Sequence, residues 1–478
     1  MNRSIRWGAI FAILLTLVLL IHITVVQAFR EDEYAQNPLN ARSFLEAQQI
    51  PRGNISAGGQ VLAESYQDAD SNFHRTYPNM PFSFGPVVGY LSPQYGAAGL
   101  EQGFNGVLSG TQSATGSRGL PIIEQGDQHG NNIELTIDPN MQATAYESLL
   151  NNGYTGAAVA LRPSTGEVLA MASNPSYDPN SIVDPATSDD AWAALSSDPT
   201  QPLVNGATQE TLPPGSIFKI ITTAAGIENG YNPNSMLTGA SEITLPGTTT
   251  TLTNYAGQTC GGQEQVTLNT AFSLSCNTAF VEMGIDVGAD ALRSAAEAFG
   301  VGETYDLGLP MSSGSIGDLA DDASVGQSSI GQRDVTMSAL QAAVMGATIA
   351  NDGARMEPYL VSRVTRADLT EVDSTTPTQV TQAVTPEQAG TIEGLMLAAE
   401  RSTATYDGNG FASKTGTAEH GDGLPPHVWY VAYDPANDVA VAVVVENGGG
   451  FGESATGGQV AGPIGRAILR AAPQGGGA

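Results

Sequence analysis

Lysine is almost missing from this chain. Its 478 residues include 48 acidic and 18 basic ones, and of the basic residues 16 are arginine while only Lys219 and Lys414 are lysine. The net charge of -30 argues against binding to nucleic acid, which needs clustered cations to neutralise phosphates. It names no partner by itself, because such acidity serves solubility and salt tolerance equally well. Cysteine is as scarce. Cys260 and Cys276 are the only two, too few for a zinc site and enough for one disulfide. Long apolar runs are absent except at the start, where Trp7 to Ala28 is long enough to cross a bilayer and longer than the usual core of a cleaved signal. Arg3 and Arg6 precede it, so the positive-inside rule keeps residues 1–6 in the cytoplasm and exports the rest. Val26-Gln27-Ala28 is only a weak cleavage site, and an uncleaved anchor over 7–28 is expected. The length suggests two or three domains, and an apolar content of 41% is ample for their cores.

What is there changes character along the chain. From 29 to 131 the sequence is rich in Gly, Pro, Asn and Ser, with short apolar pieces such as "GQVLAES" and "FGPVVGYL" that read as strands and turns. From 132 to 471 the patterns are more regular. Asp138 and Pro139 mark a helix start, followed by Met141, Ala145 and Leu149 on one face. "AAVALRPSTGEVLAMAS" reads as a hairpin turning at Pro163 to Gly166, and "HVWYVAYDPANDVAVAVVVEN" as another over Asp434 to Asp438. Val460, Ile464 and Ile468 then recur at helical spacing. Residues 472–478 are expected to be an unordered tail. Helix, hairpin, long helical middle, hairpin, helix is the order of an α+β fold: an antiparallel sheet covered by the terminal helices and bordered by a helical lobe.

A biased genome or a salt-adapted surface would deplete lysine without reference to chemistry. Lysine can nonetheless do what arginine cannot, which is to lose its proton near neutral pH when desolvated or placed beside another cation. In "PPGSIFKI", Pro213, Pro214 and Gly215 break the chain before a helical run from Ser216 to Ala225, and Ser216 and Lys219 share a face three residues apart. The serine would lie in the first turn, where free N–H groups can stabilise an oxyanion. A Ser-x-x-Lys is weak evidence alone, occurring about once or twice by chance in such a chain. The other lysine, however, stands in "FASKTGTAEH" as Lys414-Thr415-Gly416-Thr417. Between the two lies Ser275-Cys276-Asn277, which alone would read as a helix cap.

Ser-x-x-Lys, a Ser-Asp-Asn triplet and Lys-Thr-Gly in that order are the signature of class A β-lactamases and penicillin-binding proteins. This chain carries the three in that order, with Cys276 as a departure at the middle of the triplet. The chain resembles the class B penicillin-binding proteins, in particular the monofunctional elongation-type enzymes of actinobacteria. The resemblance spans nearly the full length. It includes "PRGNISAGGQVLAES" and "YGAAGLEQGFNGVLSG" near the start, "SSIGQRDVTMSALQAAVMGATIANDG" in the middle and "HVWYVAY" near the end. No stretch resembles the acidic motif of a peptidoglycan glycosyltransferase.

The resemblance implies a penicillin-binding transpeptidase domain with a five-stranded antiparallel sheet and helical lobe, preceded by a β-rich pedestal like a dimerisation domain and by one transmembrane helix. It also implies residue roles. Ser216 attacks the carbonyl between the last two D-alanines of a peptidoglycan stem peptide, with Lys219 as its base. The N–H groups of Ser216 and Thr417 form the oxyanion hole, and Ser275 relays a proton to the departing D-alanine. Asn277 holds Lys219 and the substrate amide, Lys414 supplies fixed positive charge, and Thr415 and Thr417 help hold the terminal carboxylate. An amine from a neighbouring stem then forms the cross-link. β-Lactams are implied inhibitors, a membrane glycosyltransferase of the shape, elongation, division and sporulation family is the implied partner, and no cofactor or metal is expected. A disulfide between Cys260 and Cys276 would steady the loop of Ser275 and Asn277.

Other readings stay open at this level. A D,D-carboxypeptidase differs only in using water as acceptor. A non-enzymatic penicillin-binding scaffold or sensor conflicts with the intact Ser216, Lys219 and Lys414, and the short segment 1–6 has no room for an intracellular output domain. A soluble β-lactamase needs neither anchor nor pedestal. His427 and His420 read as packing residues, and Arg52 as a structural link from pedestal to catalytic domain.

Overall fold

The computed structural model describes residues 3–29, 50–111, 129–421 and 423–473. The expected tail therefore lies outside the described residues from 474 onward, as do residues 1 and 2 of the expected cytoplasmic end. Helix α1 (Arg3–Phe29) holds the apolar run, and its stretch Ile5–Val26 is long and apolar enough to cross a membrane. Strands β1 (Ile55–Ala57), β2 (Gln60–Gln67) and β3 (Phe73–Thr76) follow as antiparallel neighbours.

The piece "FGPVVGYL" is not a strand. Most of it belongs to helix α2 (Pro81–Val88), with Pro86 inside. Proline withholds the N–H that would bond the Phe82 carbonyl, and the Ser176 hydroxyl donates to that carbonyl instead, at 2.6 Å. Six of the eight residues are buried, and a short run buried on several sides has no period that separates helix from strand.

Strand β4 (Asn132–Leu135) leads to helix α3 (Pro139–Asn151), capped by Asp138, whose carboxylate accepts from the N–H groups of Asn140 and Met141. Strands β5 (Gly156–Leu161) and β6 (Val168–Asn174) form the first hairpin. The helical middle includes α4 (Lys219–Glu228), α5 (Leu268–Ser273), α6 (Asn277–Ala298) and α7 (Ala339–Ala350). Then come β7 (Val361–Thr365), β8 (Glu371–Ser374), α8 (Pro386–Ser402), β9 (Ala412–Ala418), β10 (His427–Asp434), β11 (Val439–Val445) and α9 (Gly457–Ala471).

The main sheet runs β9-β10-β11-β5-β6, antiparallel throughout. On one face Met141, Ala145 and Leu149 of α3 and Val460, Ile464 and Ile468 of α9 pack with Tyr430, Val441 and Val443. On the other, Trp429, Val431 and Val444 join the core of the helical lobe. With both faces covered, β11 is buried at every residue, which is why it reads as an unbroken apolar run and not as an alternation. The architecture is α+β, as the sequence implies.

A second sheet has the order β8-β7-β4-β1-β2-β3. Three of its six strands come from beyond residue 131, so the regions expected over 29–131 and 132–471 share it. The reason is edge protection: β4 covers β1 in parallel and β7 covers β4, leaving less unpaired backbone than β1 to β3 would alone.

Arg52 corrects an expectation in part. Its side-chain hydrogen bonds stay within 29–131, although it lines a cavity together with Asn180, Val183, Asp184 and Pro185 of the region 132–471. Its Nε donates to Glu101 Oε2 at 2.6 Å, its Nη1 to Asn105 Oδ1 at 2.8 Å and its Nη2 to the Glu101 carbonyl at 2.7 Å. Arg75 takes the other oxygen of the same carboxylate. Two arginines and a glutamate buried together have to satisfy one another locally, and that closes a cluster inside the pedestal.

Candidate active site

The serine and lysine of the first motif sit on a turn tighter than expected. Gly215–Phe218 is 3₁₀, and the α-helix begins at Lys219. Two glycines let this turn press on strand β9. Gly215 has φ +53°, and a Cβ there would meet the Thr417 carbonyl at 2.7 Å, while one on Gly416 would meet the Pro214 carbonyl at 2.6 Å. Trp429 Nε1 ties the approach down by donating to the Pro213 carbonyl at 2.9 Å. Motifs almost 200 residues apart in sequence are thus in van der Waals contact.

Ser216 is half-buried and Lys219 fully so. Lys219 Nζ donates to the Ser275 carbonyl at 2.8 Å, to Asn277 Oδ1 at 2.8 Å and to Ser275 Oγ at 3.3 Å. Lys414, 1% exposed, donates from Nζ to Ser275 Oγ at 2.8 Å and to the Thr415 carbonyl at 2.9 Å. One hydroxyl therefore bridges the two lysines of the molecule. Ser275 itself has φ 58°, an uncommon conformation for a residue with a side chain. The turn between α5 and α6 imposes it, with the Ser275 N–H bonded to the Phe272 carbonyl and the Cys276 N–H to that of Ala271. Cys276, next to it, is joined to Cys260, and the Asn277 amide is fixed from the other side by donating to the Thr253 carbonyl at 2.9 Å.

The electrostatics follow from what surrounds the amines. Lys219 Nζ lies 5.3 Å from the centre of the Phe280 ring and Lys414 Nζ 5.8 Å from that of Phe272. Among the described residues neither lysine joins an ion pair. Burial, and then the charge of Lys414, hold Lys219 well below the ordinary lysine value. Burial alone brings Lys414 to about 7. Burial thus works against the positive charge expected there. The two phenylalanines were missed in the sequence, although "AFSLSCNTAF" places one three residues before Ser275 and the other three after Asn277.

Thr415 and Thr417 alternate with Lys414 and Gly416 along β9, so their side chains stand on the opposite strand face, the one shared with Tyr430 and Val428. β9 is an edge strand of the sheet, which leaves one side of its backbone open where Ser216 and Thr417 approach. His427 begins β10 and is buried, with its ring stacked on that of His420 at 3.9 Å. Burial and His420 hold it down at about 4. Among the described residues no three or more His, Cys, Asp or Glu side chains are grouped to hold a metal ion.

Residues 156–470 match the penicillin binding protein transpeptidase domain, and residues 52–133 the penicillin binding protein A dimerisation domain. The chain belongs to the penicillin-binding protein transpeptidase family. It is 45% identical to the peptidoglycan D,D-transpeptidase PbpA of Mycolicibacterium smegmatis over 99% of both chains, and 43% identical to that of Mycobacterium tuberculosis H37Rv over 99% of this chain and 100% of the relative. Among solved structures it superposes on M. tuberculosis penicillin-binding protein A in its ceftriaxone acyl-enzyme complex with a TM-score of 0.85 at 43% identity, over 90% of this chain and 100% of that one. The penicillin G acyl-enzyme complex gives 0.83 at 44% identity, over 88% of this chain and 99% of that one. Within this penicillin-binding fold Lys219, Ser275, Asn277 and Lys414 form one hydrogen-bonded group, and the turn that carries Ser216 lies against β9.

Proposed function

We propose that the chain is a peptidoglycan D,D-transpeptidase that works through an acyl-enzyme on Ser216 and is inhibited by β-lactams. One observation carries this reading: two buried lysines without a carboxylate share the Ser275 hydroxyl beside the turn that holds Ser216. A lysine so placed gives up its proton near neutral pH, as a general base must.

In the proposed cycle Lys219 takes the Ser216 proton as Oγ attacks the carbonyl of the penultimate D-alanine. The N–H groups of Ser216 and Thr417 receive the oxyanion, a contribution of about 3 kcal/mol per donor in comparable sites. Collapse breaks the peptide bond, and the proton reaches the leaving D-alanine nitrogen through Ser275, which already contacts both amines. Lys414 holds the terminal carboxylate from its own face of β9, while Thr415 and Thr417, whose side chains stand on the other face, contribute the open backbone edge of the strand. An amine of a second stem then attacks the ester carbonyl and gives up one proton to Lys219. As the C–Oγ bond breaks, Lys219 passes that proton to the departing Ser216 Oγ, which leaves the amide formed, the hydroxyl restored and the Lys219 amine neutral again. The relatives named D,D-transpeptidase favour an amine acceptor over the water of a carboxypeptidase.

The apolar helix serves in this reading as an uncleaved anchor, oriented by Arg3 and Arg6, with the catalytic region on the extracytoplasmic side. The bond between Cys260 and Cys276 suits an oxidising compartment. The region 29–131 acts as a pedestal for the transpeptidase region 132–471 and as a docking surface for a membrane glycosyltransferase.

The test uses the full chain in detergent. Intact mass after exposure to benzylpenicillin is expected to show one stable penicilloyl adduct in the wild type and none in Ser216→Ala. A D-Ala-D-Ala peptide supplied with an amine is expected to release D-alanine and form the amide. Absence of a wild-type adduct would sink the acyl-enzyme reading, and release of D-alanine by water alone would make the chain a carboxypeptidase.

A further inference from the structure

Behind β9 lies a buried polar group that the proposed reaction does not use. Glu400, near the end of α8 and 1% exposed, accepts four hydrogen bonds. Its Oε1 takes Arg466 Nε at 2.7 Å and Asn409 Nδ2 at 2.9 Å, and its Oε2 takes Tyr430 OH at 2.9 Å and the hydroxyl of Ser413. The donors come from α9, from the loop before β9, from β10 and from β9 itself. A carboxylate is costly to bury, and here a guanidinium and three further donors occupy its acceptor sites. Arg466 extends the network by donating to the Thr405 carbonyl at 3.0 Å and to Thr405 Oγ1 at 2.9 Å. Thr405 has φ 65°, a conformation that a β-branched residue keeps only where its surroundings hold it. Asn409 in turn accepts from the Phe411 N–H at 2.9 Å. The chain from 405 to 413 thus hangs on one carboxylate.

Its position matters because β9 is an edge strand. Only β10 sets its register, and a slip of one residue would carry every side chain to the other face. Ser413 pairs with Ala432 and Lys414 with Val431, so the residue that Glu400 grips adjoins the lysine that reaches Ser275.

We propose that Glu400 is a positioning residue for acyl transfer, fixing the register and twist of β9 through Ser413 and the 405–411 loop, and thereby the place of Lys414 Nζ against Ser275 Oγ. The proposal rests on the reading of Ser275 and the two lysines as the catalytic group. Glu400 acts through Ser413 and the strand, so its loss displaces the site without removing any reacting atom.

The experiment measures acylation of the full chain in detergent by a chromogenic cephalosporin, as a rate constant per titrated active site and as a function of pH. Misplacement by about 1 Å can cost about a hundredfold in rate. Ser413→Ala is expected to slow acylation about fivefold to tenfold and Glu400→Gln about fiftyfold, scaled from that figure. Both should move the acid limb of the pH profile upward, because a displaced Lys414 presses less on the charge of Lys219. Glu387→Gln, exposed on the same helix, should match the wild type. If melting temperature falls while the rate per active site and the pH profile stay at wild-type values, the network is scaffold only and the proposal fails. Should Glu400→Gln not fold, Ser413→Ala alone decides by the same criterion. Lys219→Arg separates the two levels: wild-type acylation in that variant would overturn the catalytic assignment itself, whatever the Glu400 variant does.

Discussion

The molecule buries two kinds of cation and treats them oppositely. Every arginine buried among the described residues meets a glutamate: Arg52 and Arg75 share Glu101, Arg355 pairs with Glu303, and Arg466 with Glu400. The two buried lysines meet hydroxyl, carbonyl and amide oxygens and aromatic faces. A guanidinium keeps its charge in any ordinary environment and needs a countercharge to be buried. An ammonium can shed its proton and needs no countercharge, and withholding one is what makes it a base. The contrast also answers why lysine survives here at all. At 219 the chemistry calls for a cation that can be discharged, and arginine cannot be.

Exchanging the two kinds of cation is the strongest way to break this contrast. Lys219→Arg should retain the fold yet lower the acylation rate constant with benzylpenicillin by about a thousandfold, within the usual range for losing a general base. Stopped-flow or quenched mass spectrometry would read it, and a loss under tenfold would mean that the lysine is not the base. Removing a countercharge should do the reverse. Glu101→Gln leaves Arg52 and Arg75 buried without a carboxylate and is expected to cost about 3–5 kcal/mol of stability in urea unfolding, with acylation by the folded fraction unchanged. A change of acylation without loss of stability would show that the pedestal cluster works on the active site.

The smallest effect sharpens the contrast by pH. Lys414 titrates at about 7 when folded and about 10.4 when unfolded, so the unfolded chain binds more protons between those values. The stability tied to this group is fully present above the unfolded value and is lost as pH falls towards 7, at up to about 1.4 kcal/mol per pH unit. Unfolding measured from pH 7 to 9.5 should show stability rising with pH, and less steeply in Lys414→Met. Equal slopes would mean that the lysine stays charged in the folded chain.

How legible this was in the sequence varied with the range of the forces involved. Strands β5, β6, β10 and β11 and helices α3 and α9 could be read because their apolar periods and turn residues act within one element. Helix α2 could not, since its form depends on a hydroxyl from Ser176 that caps a carbonyl freed by Pro86. The carboxylate that Arg52 meets could not be read, because a buried guanidinium announces its need for an anion and not the address of that anion. Phe272, Phe280 and Glu400 carry no motif; the first two stood symmetrically about Ser275 to Asn277, whereas nothing local distinguishes Glu400 from the other acidic residues.

The sequence alone determined the anchor-length helix, the fold class and the kinds of side chain in the site, because scarcity and spacing constrain composition directly. Only the tertiary structure decided that the 3₁₀ turn of Ser216 lies on β9, that one hydroxyl bridges both lysines, that the pedestal sheet borrows β4, β7 and β8, and that burial brings Lys414 to about 7. The reason is physical: desolvation and close approach belong to the packing of distant segments, and no local stretch of chain encodes the neighbours it will meet.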